Sequence, residues 1–303
     1  MSCIFWNCQG LGGPLTIHVI GDLLRRFNPS LVFLSETKAT QVLIEKLKRR
    51  WNLFGLAVDK VGKSGGLAFF WKKKIHVDLI SFSSHHIDVE VHSQHDNLIW
   101  RCTWFYGYPE HENKPKSWDL LRTLHNHRSF PWMIGGDFNE ILSNSEKEGG
   151  LARLPYQIEA FREILDVCNL SDIGYEGYPF TWTNKREHPN TIRSRLDRAC
   201  ANYEWISIFP DAKALHLPFP GSDHIPIMVA LQREPRVNKR KLCRPFRFEA
   251  MWIGRGECED IIRQTWGENV TSEPMEDLIW KRNECRIALT KWMKYKLRLF
   301  GLN

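Results

Sequence analysis

Polar side chains occur at the ends of several apolar segments of this 303-residue sequence. The segments read CIFWN, LVFLSE, IWRCTWFY, WMIGGDFN and IPIMVAL. Any one of these polar residues, taken alone, is most simply a turn residue. Their ordered repetition instead predicts strand ends that converge on one rim. The residues concerned are Asn7, Glu36, Tyr106, Asp137, Asn139, Asp223 and His224, together with Asp197 in the segment SRLDRAC.

The four carboxylates of this set would repel one another at a common rim. Like charges at close range raise each other's pKa values and cannot all stay ionised without compensation. A hard divalent cation with oxygen ligands resolves the repulsion, and Mg²⁺ is the usual choice beside a phosphate, with Mn²⁺ as the alternative. The carboxylates are those of Glu36, Asp137, Asp197 and Asp223.

The other polar residues suit the hydrolysis of a phosphodiester. Asp197 could orient the imidazole of His224, which would then act as an acid or as a clamp on the phosphate. Asn7 and Asn139 are neutral and could position a water or a carboxylate, whereas Tyr106 could contact a phosphoryl oxygen. Together these residue types favour metal-assisted hydrolysis of a phosphate ester.

The segments that must position these residues alternate between strand-like and helix-like patterns. Apolar stripes at three- and four-residue spacing predict helices over 15–27, 116–127 and 155–170. Gly65–Gly66 and the stretch between Ile87 and Leu98 are typical of hairpin turns or loops. Short runs rich in aromatic and branched residues predict strands over 3–7, 31–36, 67–71, 99–107, 132–139, 180–184 and 225–231. This mixture favours an α/β fold with mixed sheets.

The composition disfavours several classes of protein. A hydrophobic content of 43% is enough to bury a core, and no run approaches the ~18 apolar residues of a membrane span. The eight cysteines include no CxxC pair, and the first residues show no pattern typical of a secretory signal. We therefore expect reduced thiols, and neither a membrane protein nor a secreted disulfide scaffold nor a zinc finger.

The net positive charge is concentrated near the C-terminus. Residues 1–232 carry 26 Lys and Arg against 25 Asp and Glu, whereas residues 233–303 carry 16 against 10. Together with the basic, proline-bounded segment 236–245, this predicts one domain over 1–232 and a basic, largely helical linker over 233–303. The charge of the linker fits either an anionic partner such as nucleic acid or a solvated helix without a partner.

Six motifs carry a resemblance by their order and spacing, and they read WNCQGLG, LSETK, FYG, GGDFN, SRLDR and GSDHIPI. The chain resembles the endonuclease/exonuclease/phosphatase superfamily, which includes deoxyribonuclease I and the abasic-site endonucleases. The resemblance implies an α/β fold of the deoxyribonuclease I type, which is a four-layered α/β sandwich of two mixed β-sheets flanked by helices.

A narrower resemblance rests on WNCQGLG, GGDFNEIL, FTWTN and FRFEAMW. These motifs look like the N-terminal endonuclease domain of non-LTR (LINE-type) retrotransposons, especially those of plants. This implies a Mg²⁺-dependent endonuclease that acts in the nucleus and nicks DNA to leave a 3′-hydroxyl, from which reverse transcription is primed. The 303 residues hold no reverse-transcriptase block, so we expect a truncated copy or a piece of a longer polyprotein. DNA is then the expected partner of the protein, and element RNA is a candidate partner of the basic tail.

The resemblance assigns roles to the metal-side and water-side residues. Glu36 resembles the main metal ligand, with Asn7 and Asp223 close to the metal. Asp137 and Asn139 resemble the pair that activates and positions the attacking water.

Further roles concern the phosphate and the substrate class. Tyr106 resembles the residue that contacts the scissile phosphate, and Asp197 and His224 resemble the dyad at that phosphate. Ser222 is expected to support a backbone contact with DNA. Gln9 stands where abasic-site repair enzymes have an acid, which counts against a repair function.

A predicted hairpin over 183–195 supplies basic side chains that could follow a phosphate backbone or enter the minor groove. The alternative is an ordinary exposed hairpin. At the level of function, a phosphatase or phosphodiesterase of the same fold and an inactive relic also remain open. The basic residues of the hairpin are Lys185, Arg186, Arg193 and Arg195.

Overall fold

A computed structural model describes most of the chain. The described residues are 1–60, 65–93, 98–127, 130–219, 221–231 and 256–267, with Lys281, Cys285, Ala288, Leu289 and Trp292. The chain divides into two compact units, Met1–Glu234 and Pro235–Asn303. The basic segment at 236–241 and most of the helix predicted from about residue 276 to 300 lie outside the described residues.

The first unit contains five α-helices and sixteen β-strands within its described residues. The helices are α1 (Pro14–Phe27), α2 (Gln41–Trp51), α3 (Lys114–His127), α4 (Pro155–Val167) and α5 (Tyr203–Ile208), and the second unit contains α6 (Gly256–Trp266). The first eight strands are β1 (Ser2–Asn7), β2 (Leu31–Ser35), β3 (Leu53–Val58), β4 (Leu67–Lys72), β5 (His76–Ser83), β6 (His86–His92), β7 (Ile99–Tyr106) and β8 (Trp132–Asp137). The others are β9 (Lys147–Glu148), β10 (Ser171–Asp172), β11 (Tyr175–Glu176), β12 (Trp182–Thr183), β13 (Arg193–Ser194), β14 (Asp197–Ala201), β15 (Ala214–His216) and β16 (Ile227–Ala230).

Two large mixed sheets form the centre of the first unit. The seven-stranded sheet has the order β11-β15-β16-β1-β2-β4-β3, and the six-stranded sheet has the order β10-β14-β8-β7-β6-β5. Each contains one central parallel pair, β1 with β2 and β7 with β8, among mostly antiparallel neighbours. A small third sheet, β12-β13-β9, carries the predicted basic hairpin.

The main core lies between the two large sheets. Trp104 of the six-stranded sheet stacks on Phe33 with ring centroids 5.5 Å apart, and it also contacts Phe5 and Phe69 from the opposite sheet. Successive residues of β1 point to opposite faces of the sheet. Phe5 therefore lies in the core between the sheets, whereas Trp6 lies in a second core between the seven-stranded sheet and helices α1 and α2. Because β1 is buried on both faces, its sequence is a continuous apolar run, CIFW, without alternating polar residues.

Helices cover the outer face of each large sheet and complete four layers. Helices α1 and α2 pack their apolar stripes on the seven-stranded sheet, through residues such as Val19 and Leu47. Helices α3 and α4 cover the six-stranded sheet, where Trp118 stacks on Phe161 with centroids 5.1 Å apart. The predicted α/β sandwich of two mixed sheets flanked by helices is confirmed. No helix among the described residues is both long and apolar enough to cross a membrane.

The sequence patterns located most of these elements and missed a few. The three predicted helices are present as α1, α3 and α4, and the strand predicted over 180–184 shrinks to Trp182–Thr183. The prediction of turns or loops between Ile87 and Leu98 is wrong over its first part, because β6 runs to His92. In β6, Ile87, Val89 and Val91 enter the core while polar residues alternate with them, which is the period of a strand.

Gly136 allows the strand before Asp137 to pass close to its neighbour. Its φ is +148°, and a Cβ atom there would lie 1.9 Å from the carbonyl oxygen of Phe105. We expect Gly136→Ala to lower the free energy of unfolding by about 3 kcal/mol or more, because backbone has to move. Chemical denaturation measures this. The matched control is Gly21→Ala in α1, where a Cβ meets no atom within 4 Å and stability is expected to rise by about 0.5–1 kcal/mol. Equal stabilities of the two variants would contradict the prediction.

Candidate active site

The predicted polar residues meet at one rim of the two sheets because of how the strands are paired. Asn7 ends β1 beside the end of β2, and Glu36 follows β2 directly. In the other sheet, Tyr106 ends β7 beside Asp137 at the end of β8, and Asp197 opens the antiparallel strand β14 opposite Asp137. The carboxyl-terminal ends of the two parallel pairs, β1–β2 and β7–β8, therefore lie at the same rim.

Asn7 joins the two sheets at this rim. Its buried amide nitrogen Nδ2 donates to Glu36 Oε1 at 2.9 Å and to Asp137 Oδ2 at 3.1 Å. The Tyr106 hydroxyl donates to the same Glu36 oxygen at 3.0 Å. Burial, and then the Glu36 and Asp137 carboxylates, raise the pKa of Tyr106, so this hydroxyl keeps its proton. Four of the predicted residues thus form one hydrogen-bonded group.

Three backbone positions at the rim adopt the left-handed conformation although none is glycine. Glu36 has φ +51°, Asn139 has φ +56° and Gln9 has φ +52°. Such conformations cost free energy and persist only where surrounding contacts hold them. At this rim they turn the chain sharply after a buried strand, which aims each side chain across the strand ends.

His224 lies between two carboxylates. Its Nδ1 is 2.7 Å from Asp197 Oδ2, and its Nε2 is 3.7 Å from Asp137 Oδ2. Burial alone would lower the pKa of His224, but Asp197 and then Asp137 outweigh it and raise the pKa to about 10. Burial raises the pKa of Asp137 to about 6, against the opposing charge of His224. At neutral pH the metal-free site therefore holds an imidazolium between two carboxylates.

The protonation of His224 makes a prediction for the metal-free protein. Its folded pKa of about 10 lies above the ~6.5 of an unfolded histidine, so the charge stabilises the fold fully below pH ~6.5 and loses this effect as pH rises through about 10. In EDTA, the excess stability of the natural protein over His224→Gln should shrink between pH 7 and 10. Urea denaturation across that range measures the difference. A difference that stays constant would contradict a raised pKa.

Asn139 and Asp137 form a compact loop. The Asn139 backbone N–H donates to Asp137 Oδ1 at 2.8 Å, and its Nδ2 donates to Asp137 Oδ2 at 3.1 Å and to Gly107 O at 3.0 Å. Behind this loop, the buried ammonium of Lys114 donates to the Asn139 carbonyl and lies 4.0 Å from Glu140. Burial lowers the pKa of Lys114 to about 8. No sequence pattern marked Lys114, which is the first residue of the amphipathic helix α3.

The loop before β16 is held by hydrogen bonds within the protein. Ser222 Oγ donates to the Asn7 carbonyl at 2.8 Å and accepts from the His224 backbone N–H at 3.1 Å. Asp223 Oδ2 accepts from Gln9 Nε2 at 2.8 Å and from the indole N–H of Trp182 at 3.0 Å. Ser222 therefore shapes the loop that carries Asp223 and His224, and its hydroxyl is engaged there.

Two buried side chains that the sequence interpretation missed also support the dyad. Thr181 Oγ1 accepts from the backbone N–H groups of Leu196 and Asp197, each at 2.9 Å. The indole of Trp6 donates to the His224 carbonyl at 2.9 Å. Trp6 and Thr181 lie within the motifs WNCQGLG and FTWTN, so their position beside site residues was the available signal.

The structure separates the four basic residues assigned to the hairpin. Lys185 and Arg186 are exposed at its tip, and Arg193 faces Glu148 at 3.4 Å on the surface. The assignment of Arg195 to DNA binding is wrong. Its side chain is only 5% exposed and is ion-paired with Glu146 at 2.8 Å and with Asp172 at 2.9 Å, so it cannot reach a phosphate. Its neighbour in the motif SRLDR, Arg198, shares both acids.

The donors at the rim fit a hard divalent cation. The Glu36 side chain is 21% exposed against 1% for Asp137 and Asp197, and Asp223 is also partly exposed. Asn7 at the end of β1 has an amide oxygen, and Asp223 in the loop before β16 has a carboxylate whose Oδ2 accepts from Gln9. Ligand atoms of Asp137, Asp197 and His224 also lie within 4.8 Å of one another, which makes these three residues a second candidate group, although the imidazolium already offsets part of the charge of the two carboxylates.

A comparison of sequence profiles places the chain among known proteins. The profile of the endonuclease/exonuclease/phosphatase family matches residues 4–224, which span the whole rim from Asn7 to His224. The chain belongs to this family. The family comprises metal-dependent phosphoester hydrolases, including nucleases and phosphatases, and the acidic and histidine groups described above are suited to a divalent metal. No curated protein sequence matches the chain significantly.

Solved structures show the same fold at low sequence identity. The endonuclease domain of TRAS1, a telomere-specific non-LTR retrotransposon, is 12% identical with a TM-score of 0.57, over 77% of this chain and 99% of that one. A 3′ phosphatase from Neisseria bound to a product DNA hairpin is 16% identical with a TM-score of 0.56, over 77% and 100%. An AP endonuclease from Archaeoglobus fulgidus is 14% identical with a TM-score of 0.61, over 77% and 100%.

Proposed function

We propose that the first unit is a Mg²⁺-dependent endonuclease that nicks one strand of DNA and leaves a 3′-hydroxyl, as in target-primed retrotransposition. The single observation that carries the proposal is the Asn7 amide, which binds Glu36 and Asp137 at once. This contact joins an accessible carboxylate to the buried Asp137–His224–Asp197 cluster. The similarity of the fold to a non-LTR retrotransposon endonuclease and to DNA-processing enzymes supports DNA as the substrate.

Asp137 is the base for the attacking water in this proposal. Its carboxyl, with a pKa of about 6, is ionised at neutral pH yet basic enough to accept a proton. The two donors from Asn139 fix its orientation. Water attacks phosphorus and loses a proton to Asp137, and the bond from phosphorus to the 3′ oxygen breaks. That oxygen takes a proton from solvent to become the 3′-hydroxyl, and the other side of the nick keeps a 5′-phosphate.

His224 and Tyr106 act on the phosphate. The His224 imidazolium, oriented by Asp197, places a fixed positive charge where negative charge develops on the phosphoryl oxygens. Tyr106 keeps its proton and donates a hydrogen bond at the same rim. Glu36, Asn7 and Asp223 would hold the divalent cation, with Mn²⁺ as an alternative to Mg²⁺, and when bound the cation supplies Lewis-acid stabilisation of the same charge.

The exposed hairpin tip is proposed to bind the DNA backbone, whereas the proposed contact of the basic tail with element RNA lies outside the described residues. We expect Lys185→Ala/Arg186→Ala to weaken DNA binding about equally for all sequences, and to reduce the slope of log affinity against log salt by about 2. Fluorescence anisotropy at several salt concentrations measures both. Arg162→Ala, which removes an exposed cation from α4, is the matched control. An unchanged salt slope in the double variant would contradict the role of the tip.

The chemistry of the nick distinguishes the proposal from the alternatives. Nicked plasmid should serve as a primer for a DNA polymerase without any treatment of its ends, because the product carries a 3′-hydroxyl. A nick that needs removal of a 3′ phosphate before extension would contradict the proposed bond cleavage. Release of inorganic phosphate from small phosphomonoesters without nicking would favour a phosphatase, and inertness of the folded protein would favour a relic. Action in the nucleus follows from the substrate and is part of the same proposal.

A further inference from the structure

Two histidines and a carboxylate converge on the outer face of strands β5 and β6. His76 and Asp78 are two residues apart on β5, so they share a face, and His92 stands directly opposite His76 on β6. The Nε2 atoms of His76 and His92 lie 3.1 and 2.8 Å from the same oxygen, Asp78 Oδ2. The two imidazole rings are 4.6 Å apart between centroids. All three ligand atoms lie within 4.8 Å of one another.

This cluster is separate from the catalytic rim. In the pairing of β6 with β7, His86 is opposite Phe105 and His92 is opposite Ile99, and Tyr106 of the rim follows Phe105. His86 and His92 are six residue steps apart along β6, which corresponds to about 20 Å at roughly 3.3 Å per residue. The cluster therefore stands at the far end of the same sheet and cannot contribute to chemistry at the rim.

We propose that His76, Asp78 and His92 form a second metal site, which binds a divalent transition cation such as Zn²⁺. Two imidazole nitrogens and one carboxylate oxygen are ligands that zinc prefers, and three protein ligands with one open position are a common arrangement for it. Mg²⁺ is a poor fit, because it prefers an all-oxygen shell. The two sites of the chain thus differ in the class of cation they select.

The spacing of the ligand atoms suits a tetrahedral ion. Bonds of about 2.0–2.1 Å keep tetrahedral ligand atoms about 3.3 Å apart. The observed separations of 3.1 and 2.8 Å need to widen by about 0.2 and 0.5 Å to reach this value. The His76 side chain is 68% exposed and the Asp78 side chain 51%, so both can adjust and solvent can supply a fourth ligand.

The two imidazoles also favour a cation. Without a cation, Asp78 Oδ2 satisfies both imidazoles only if each carries its proton on Nε2. A cation at the centre instead uses the lone pairs of both nitrogens and offsets the charge of the Asp78 carboxylate.

A bound ion would link the edge strand β5 to its neighbour β6. Strand β5 is the last strand of the six-stranded sheet, and its pairing with β6 is interrupted by a register shift between Leu79 and Ser81. His76 and Asp78 belong to β5 and His92 to β6. Binding should therefore raise the thermal unfolding midpoint of the protein, since an ion that binds only the folded state stabilises it.

The test is a calorimetric titration of the full chain with Zn²⁺ in excess Mg²⁺, followed by thermal unfolding with and without Zn²⁺. We expect one binding event that weakens at least about tenfold in His76→Ala/His92→Ala, because even the loss of an outer partner of a metal ligand costs about that much. Asp78→Asn, which preserves shape, should weaken the same event and abolish the rise of the unfolding midpoint. The absorption spectrum of bound Co²⁺ should change in the same variants.

Two controls assign the event to this cluster. His18→Ala removes a histidine of the same exposure, 68%, which pairs with Asp22 on α1, and it should leave Zn²⁺ binding unchanged. Asp197→Asn removes a ligand from the buried group at the catalytic rim and should also leave the event in place. The proposal is overturned if the natural protein binds no Zn²⁺, if both cluster variants bind it as tightly as the natural protein, or if Asp197→Asn alone abolishes binding.

Discussion

His224→Ala is expected to lower the rate of plasmid nicking by about 10²- to 10³-fold, the usual cost of removing one preorganised group that stabilises transition-state charge. The variant removes the imidazolium that faces the phosphate. It leaves Asp137 and Asp197, which are paired across β8 and β14, as two buried carboxylates without a cation between them. Single-turnover nicking of supercoiled plasmid at saturating protein measures the loss. The fall should appear in the rate of the bound complex and much less in DNA affinity.

Asp197→Asn provides the matched test of orientation. The amide keeps the shape of the carboxylate but removes its charge, so the His224 pKa should fall and the nicking rate should acquire a dependence on pH near neutrality. His18→Ala, at an exposed position on α1, should leave the rate unchanged. Full activity of a folded His224→Ala protein would remove His224 from the mechanism.

Glu36→Gln is expected to reduce nicking by about 10³-fold, because Lewis-acid stabilisation by a bound cation is worth several kcal/mol in the transition state. The amide preserves volume and can still accept from Asn7 and Tyr106, so the fold should be retained. Nicking rates measured over a wide range of Mg²⁺ concentrations separate weaker metal binding from a lower maximum rate.

The exposed Glu45 on α2 offers the control for this change. Glu45→Gln removes one carboxylate at a site whose only described ion pair is with Lys48, and it should leave the Mg²⁺ dependence unaltered. If Glu36→Gln needs no more Mg²⁺ than the natural protein and nicks at the same rate, then Glu36 is not a metal ligand. The Asp137, Asp197 and His224 group would then become the stronger candidate.

The sequence patterns predicted an α/β fold with mixed sheets and marked the polar residues of the rim, because both follow from local patterns, whereas the four layers were implied by the family resemblance. Strand ends such as Asn7 and Asp137 are marked by an apolar run that stops at a polar residue. The pairing that brings them together is long-range: β1 lies beside β16 more than 200 residues later, and periodicity contains no such information. The resemblance to a known family supplied it instead.

Other features could not be predicted from residue types alone. Arg195 and Lys185 have the same charge and lie in the same predicted hairpin, yet one is buried against Glu146 and Asp172 while the other is exposed at the tip. Strand β6 was missed because its buried polar residue Asp88, bound by Arg101 at 2.8 Å, resembles a loop residue until its partner is known. Burial decides such cases, and burial is a property of the folded chain.

The most direct test of the proposed nicking activity is the conversion of supercoiled plasmid to open circles by the purified 303-residue chain, with Mg²⁺ and with EDTA, beside Glu36→Gln and His224→Ala. We expect Mg²⁺-dependent open circles with 3′-hydroxyl ends, abolished by EDTA and strongly reduced in both variants. Circular dichroism confirms that each protein is folded. Absence of nicking by the folded natural protein in Mg²⁺ and in Mn²⁺, or nicking by both variants at the rate of the natural protein, would contradict the proposed activity and its site.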